Sequence, residues 1–76
     1  MRTYLAEWPD GTFTVCSASN LVDLFWTLDE EGDPYATKSY LLPSRFEIVS
    51  DFVDGKLVWD AEGKKLVDWK KVKIDY

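Results

Sequence analysis

A chain of 76 residues is long enough to build one hydrophobic core, so we expect a single compact domain over residues 1–76. Hydrophobic residues make up 46% of the chain and charged residues 30%, which excludes the low-hydrophobicity composition of disordered chains. The net charge of -5 argues against direct binding of nucleic acid, because binding to backbone phosphates requires a basic surface.

The first 18 residues predict a β-hairpin. Apolar and polar residues alternate over residues 2–8 and again over residues 12–18, with a Pro-Asp-Gly turn sequence between them. A two-residue turn would place Trp8 opposite Phe13 and form one coherent apolar face. A type I turn that ends in a bulge at Gly11 suits the proline better, because proline has no N–H to give. Both registers are open at this point.

The next stretch predicts a helix over about residues 20–31. Ser19 and Asn20 are good N-cap residues, and Gly32 followed by Asp-Pro is a strong stop signal. The apolar positions cover more than one narrow stripe, so the helix is expected to lie across a sheet with some apolar surface left over. These positions are Leu21, Val22, Leu24, Phe25, Trp26 and Leu28.

The second half of the chain predicts further strands. Residues 35–42 are ambiguous but lean towards extended structure, and residues 44–53 read as a strand with a helix as the competing interpretation. An Asp-Gly pair then predicts a hairpin with Phe52 opposite Leu57. A second tight turn, with Asp60 facing Lys64, predicts a third strand.

A change in apolar parity near residues 70–71 indicates a bulge in that last strand. We therefore expect an α+β fold of two layers. A mostly antiparallel sheet of about five strands, comprising the N-terminal hairpin and a C-terminal three-stranded meander, carries the helix on one face.

Histidine, the residue type that most often acts as a general base, is missing. The single cysteine, Cys16, has neither a disulfide partner nor an adjacent cation. The four glycines fall one per turn, so none forms a phosphate-binding loop. We expect a protein that is not an enzyme, with no catalytic residue and no cofactor. No apolar run indicates a targeting or membrane-spanning segment, so we expect a cytoplasmic protein that does not bind membranes.

The acidic run at the helix end partly matches a calcium-binding loop. Asp29, Glu31 and Asp33 have the alternate spacing with which an EF-hand loop starts. The motif then requires a glycine and a glutamate at positions that Pro34 and Tyr40 occupy. The match fails, and we expect no metal site.

Four acids at the helix end conflict with the helix dipole. The C-terminus of a helix carries a partial negative charge, which favours bases over acids. Such local conflicts are enriched at functional sites. The acids could instead be solvated, or neutralised within the molecule by the lysines at residues 64–73. The candidate partner-binding residues are Trp26 as an apolar anchor and Asp29, Glu30, Glu31 and Asp33 as a charged rim.

These observations favour a small protein-interaction module, such as a regulator, an inhibitor or an antitoxin-like subunit, with a basic protein as its partner. Two alternatives stay open. One is a DNA mimic that inhibits a nucleic-acid-binding or defence protein through its carboxylates. The other is a structural protein that only associates with itself, for example as a homodimer formed through an exposed strand edge.

Overall fold

The computed structural model describes residues 1–75 and contains six strands, one α-helix and two short 3-10 helices. The helix follows the first hairpin and precedes the remaining strands. The strands are β1 (Arg2–Glu7), β2 (Phe13–Ala18), β3 (Lys38–Leu41), β4 (Ile48–Val53), β5 (Lys56–Ala61) and β6 (Lys65–Leu66). The helix α1 spans Leu21–Asp29, and the 3-10 helices span Pro34–Ala36 and Trp69–Lys71.

The N-terminal hairpin adopts the register with a bulge. Glu7 lies opposite Phe13, and the N–H of Gly11 donates to the carbonyl of Trp8 over 3.0 Å. Gly11 has a φ of 89°, a conformation that glycine adopts without steric cost. Proline at the second turn position and glycine at the bulge therefore decide between the two registers, and the two-residue turn is wrong.

The helix begins and ends close to where the sequence predicts. Asn20 is the N-cap, and its side chain accepts from the N–H of Asp23 over 2.9 Å. The carboxylate of Asp23 in turn accepts from the N–H of Ser19 over 2.9 Å. At the other end Glu30 is the C-cap, and the N–H of Gly32 reaches back to the carbonyl of Leu28 over 3.1 Å. These bonds satisfy backbone groups that a helix end leaves without partners.

A four-stranded sheet in the order β2-β1-β3-β6 forms the centre of the fold. One face packs against α1, with Tyr4 and Ala6 of β1 buried against Leu24, Phe25 and Leu28. Neighbouring side chains of a strand point to opposite faces, so Leu5 lies on the other side of the sheet. There it packs with Leu42 and Ala61, beside Ile48 and Trp59 of the second hairpin.

The expected α+β class, with one helix packed on antiparallel strands, is confirmed. The second hairpin is also confirmed, with Phe52 opposite Leu57 and a two-residue loop at Asp54-Gly55. The expected single sheet is wrong, because β4 and β5 form a separate two-stranded sheet.

The C-terminal three-stranded meander is also wrong. Its third strand, β6, leaves β5 after a turn at Gly63 and pairs with β3, where Leu66 lies opposite Tyr40. This pairing covers the edge of β3 that would otherwise be exposed. Directly after β6, the N–H of Val67 adds a further bond by donating to the carbonyl of Ser39 over 2.8 Å. The change in apolar parity comes from the 3-10 helix Trp69–Lys71, so the expected bulge is wrong.

Candidate functional site

The exposed side of α1 and the loop that follows it form the surface that we call the helix-end patch. Val22 and Trp26 are one helical turn apart, and Asp29 and Glu30 continue the same face three and four residues later. Val22 is 41% exposed, Trp26 38% and Tyr35 49%. The patch consists of Val22, Trp26, Asp29, Glu30, Asp33 and Tyr35, so it contains three apolar or aromatic side chains and three acids.

Phe25 supports the aromatic part of this patch from below. Its ring is fully buried, and the ring centres of Trp26 and Tyr35 lie 5.4 and 5.1 Å from its own. The ring of Trp69 packs against Phe25 as well, with 5.9 Å between centres. Contact with a fixed core ring restricts the motion of the two exposed rings. A surface held in this way loses little conformational entropy when a partner binds.

The structure separates the four acids into two pairs. Glu31 accepts a hydrogen bond of 2.7 Å from the hydroxyl of Thr14, and that hydroxyl accepts one of 2.9 Å from the indole N–H of Trp8. Asp33 accepts from the N–H of Tyr35 over 3.0 Å and caps the first 3-10 helix. Both of these carboxylates therefore stabilise the loop that follows α1.

Asp29 and Glu30 differ from that pair. Within residues 1–75, neither carboxylate forms a hydrogen bond or an ion pair. Over the same described range the only salt bridge joins Lys64 to Asp60, at 2.7 Å. The alternative in which the C-terminal lysines neutralise the acids thus has no ion pair to support it in this part of the chain.

A second cluster, which no sequence pattern indicates, lies on the opposite face of the central sheet. The indole N–H of Trp59 donates to the carboxylate of Glu7 over 2.9 Å, and its ring lies 5.2 Å from that of Tyr40 and 6.4 Å from that of Phe13. The ammonium of Lys64 lies 4.4 Å from the centre of the Trp59 ring. The cluster joins the second hairpin to the central sheet. Its residues are far apart in sequence, so no local pattern could reveal it.

Cys16 is half-buried and has no disulfide partner. Burial raises the pKa of its thiol, and the negative charges of Glu31 and Asp23 raise it further. At neutral pH the thiol therefore stays protonated, and a protonated thiol is a poor nucleophile.

Two open clefts, with volumes of about 470 and 330 Å³, share Arg2, Leu41 and Lys65 among their lining residues. Neither is lined by a pair of carboxylates, and the larger one lies between the start of β1, the end of β3 and the turn at Gly63. Among residues 1–75, no group of three or more His, Cys, Asp or Glu side chains is placed to hold a metal ion. In the same range no helix has the length and apolar character needed to cross a membrane.

Comparisons with models of known protein families, with curated proteins and with solved structures gave no match to this chain.

Proposed function

We propose that this protein is a non-enzymatic interaction module whose helix-end patch binds a basic surface of a partner protein. The observation that carries the proposal is the pairing of exposed, rigidly supported aromatic surface with two carboxylates that have no partner in the described chain. Aromatic side chains held at the centre of an interface supply much of its binding energy. Charged groups at the rim accelerate encounter and select the partner.

The charge distribution fits a basic partner. The stretch from residue 21 to residue 35 has five acids and no base, and within the described chain Asp29 and Glu30 lack a cation of their own. Carboxylates at a helix C-terminus lie against the negative end of the helix dipole. A cation that arrives from outside relieves this repulsion, so binding removes an unfavourable interaction as well as adding a favourable one.

We base a role as a regulator or an inhibitor on the small size of the chain and on its lack of histidine. A module that binds without chemistry acts by occupying the surface of its partner. We place it in the cytoplasm, because a free thiol such as Cys16 suits a reducing compartment.

The apolar half of the patch can be tested by affinity capture from the source cell with two matched baits. One bait carries Val22→Ser and Tyr35→Ser, which remove exposed apolar surface from the patch. The other carries Val49→Ser and Phe52→Ser, which remove side chains of similar chemistry that are 62% and 73% exposed on the second hairpin. Circular dichroism of each bait checks that it is folded.

We expect wild type and the hairpin variant to retain the same basic protein and the patch variant to lose it. Binding should weaken as salt rises, because exposed charges are screened over about 10 Å at 0.1 M ionic strength. Equal retention by both variants, or loss only from the hairpin variant, would contradict the proposal.

A further inference from the structure

The second hairpin presents two outer edges that differ in their protection. No backbone hydrogen bond joins β4 or β5 to any other element within residues 1–75. On β4, however, the N–H of Phe52 donates to the carboxylate of Asp51 over 2.8 Å. A side chain that occupies an edge N–H protects that edge from pairing with another strand. Within the described residues no side chain accepts from the outward N–H groups of Leu57 and Trp59 on β5, whereas β4 has one such group occupied.

The turn determines which backbone groups of β5 face outwards. The residue pair next to a two-residue hairpin loop is hydrogen-bonded across the hairpin. The backbone N–H and C=O groups of Val53 and Lys56 therefore point towards each other, between the two strands. The pattern alternates along the strand. Leu57 and Trp59 therefore direct N–H and C=O groups away from β4, into the open edge.

The charges on β5 fit a second copy of the same strand. If two β5 strands pair antiparallel about Val58, Leu57 of one copy lies opposite Trp59 of the other, which matches the outward backbone groups. The same register places Lys56 of each copy opposite Asp60 of the other. Opposite charges directly across a strand pair stabilise it, whereas like charges would destabilise it. Shifting the register by two residues in either direction moves Lys56 of one copy away from Asp60 of the other.

The side chains at this edge are accessible. Val58 is 51% exposed and would meet its own copy at the centre of the pairing. The side chain of Asp60 is 80% exposed although it accepts a hydrogen bond from Lys64, so it has room for a second cation.

We infer that the protein forms a symmetric homodimer through β5, which joins the two hairpins into one four-stranded antiparallel sheet. This interface is separate from the helix-end patch, so each surface can be tested while the other is intact. The contact involves one short strand per copy, which is small beside the roughly 800 Å² per partner of a stable interface. The dimer is therefore weak and depends on protein concentration.

The test measures molar mass by sedimentation equilibrium from about 10 μM to about 1 mM, a range in which a weak dimer changes its population. We expect the mass of wild type to rise from one chain towards two. Lys56→Glu and Asp60→Lys each place like charges opposite one another, so each variant alone should associate at least about tenfold more weakly. An equal mixture of the two variants restores both ion pairs and should recover association, which separates a charge effect from misfolding.

Hydrogen exchange locates the interface. The amides of Leu57 and Trp59 should exchange more slowly as concentration rises, while that of Ser50 on the opposite edge of the hairpin should not change. A wild-type mass of one chain over the whole range would overturn the inference. So would association that neither charge reversal weakens, a mixture that fails to recover it, or protection that appears at Ser50, β2 or α1 instead.

Discussion

Two tryptophans illustrate how burial and hydrogen bonding contribute separately to stability. Trp69 is 7% exposed and packs on Phe25, yet within residues 1–75 its indole N–H has no acceptor. Trp59 is only half-buried, but its indole N–H donates to a carboxylate and its ring lies beneath an ammonium group. A buried donor without a partner lowers the free energy of unfolding, whereas a hydrogen bond to a charged acceptor raises it.

We therefore expect Trp69→Phe to be less harmful than Trp59→Phe, although Trp69 is the more buried residue. Loss of the bond to Glu7 should cost Trp59→Phe about 1.5 to 3 kcal/mol of unfolding free energy. For Trp69→Phe the smaller ring leaves a void, but removal of the unsatisfied N–H offsets part of that cost, and we expect a net change within about 1 kcal/mol. Urea unfolding of both variants measures the difference. The reverse order would show that the Trp69 indole has an acceptor in solution.

Asp23 makes the stability of the helix N-terminus depend on pH. The backbone N–H of Ser19, and after it the Ser19 hydroxyl, lower the pKa of the Asp23 carboxyl below its ordinary value of 3.8. A group whose pKa is lower in the folded state stabilises the fold at pH values above its unfolded pKa. That contribution is lost as the pH falls through the folded pKa.

Asp23→Asn should therefore melt below wild type at pH 7, and the difference should shrink once the pH falls below about 4. Thermal melts by circular dichroism from pH 7 to pH 2 provide the measurement. A melting-temperature difference that is the same at both ends of this range would show that the charge of Asp23 is not what stabilises the helix start.

At the scale of the element, the helix end shows how a cluster that looks uniform in sequence divides in the structure. Glu31 and Asp33 hold the loop through Thr14 and the N–H of Tyr35. Asp29 and Glu30 make no such bond within the described chain and lie against the helix dipole. The hydrogen bonds of the first pair stabilise the loop, and we propose that the second pair binds a partner.

Two double variants with the same change in charge separate these roles. Asp29→Asn with Glu30→Gln should leave the melting temperature unchanged or raise it, because repulsion at the helix end is relieved. Glu31→Gln with Asp33→Asn should lower it, because a charged acceptor and a cap are weakened. If both variants lose stability equally, an intramolecular cation neutralises the whole cluster, and the proposed binding role fails.

Local chemistry predicted the elements well where a turn residue has only one good conformation. The cap at Asn20 and the Asp54-Gly55 loop act through their immediate neighbours, and both are found in the structure. At Pro9 and Gly11 the sequence left two registers open, and the structure has the one with the bulge. The division of the acids could not be predicted in this way. It depends on Thr14, which lies 17 residues from Glu31 along the chain.

At the scale of the whole molecule, the sequence predicted the α+β class but not the arrangement of its strands. The hydrophobic pattern shows that a strand such as β6 is extended, but it does not show which edge the strand pairs with. That choice depends on β3 having an unpaired edge once β1 and β2 are in place. The sequence also did not show that both faces of β1 are buried. Tyr4, Leu5 and Ala6 are consecutive apolar residues, so their pattern does not indicate which face meets the helix.

The same limit applies to the candidate site. The sequence identified the acidic run and Trp26, but it could not show that Tyr35 joins them through the buried ring of Phe25. Charge segregation along the chain also suggested docking of the lysines against the acids. In the described residues Lys64 is instead held by Asp60 and Trp59 on the other side of the sheet.

The most direct test of the helix-end patch is calorimetric titration of the captured partner with three forms of the protein. Wild type is compared with Asp29→Asn/Glu30→Gln and with Glu47→Gln/Glu62→Gln, which changes the net charge equally at exposed acids flanking the second hairpin. We predict that the helix-end variant loses about tenfold or more in affinity and that the hairpin variant stays close to wild type. Equal loss in both variants would show a net-charge effect, and no loss in either would show that the patch is not the binding surface.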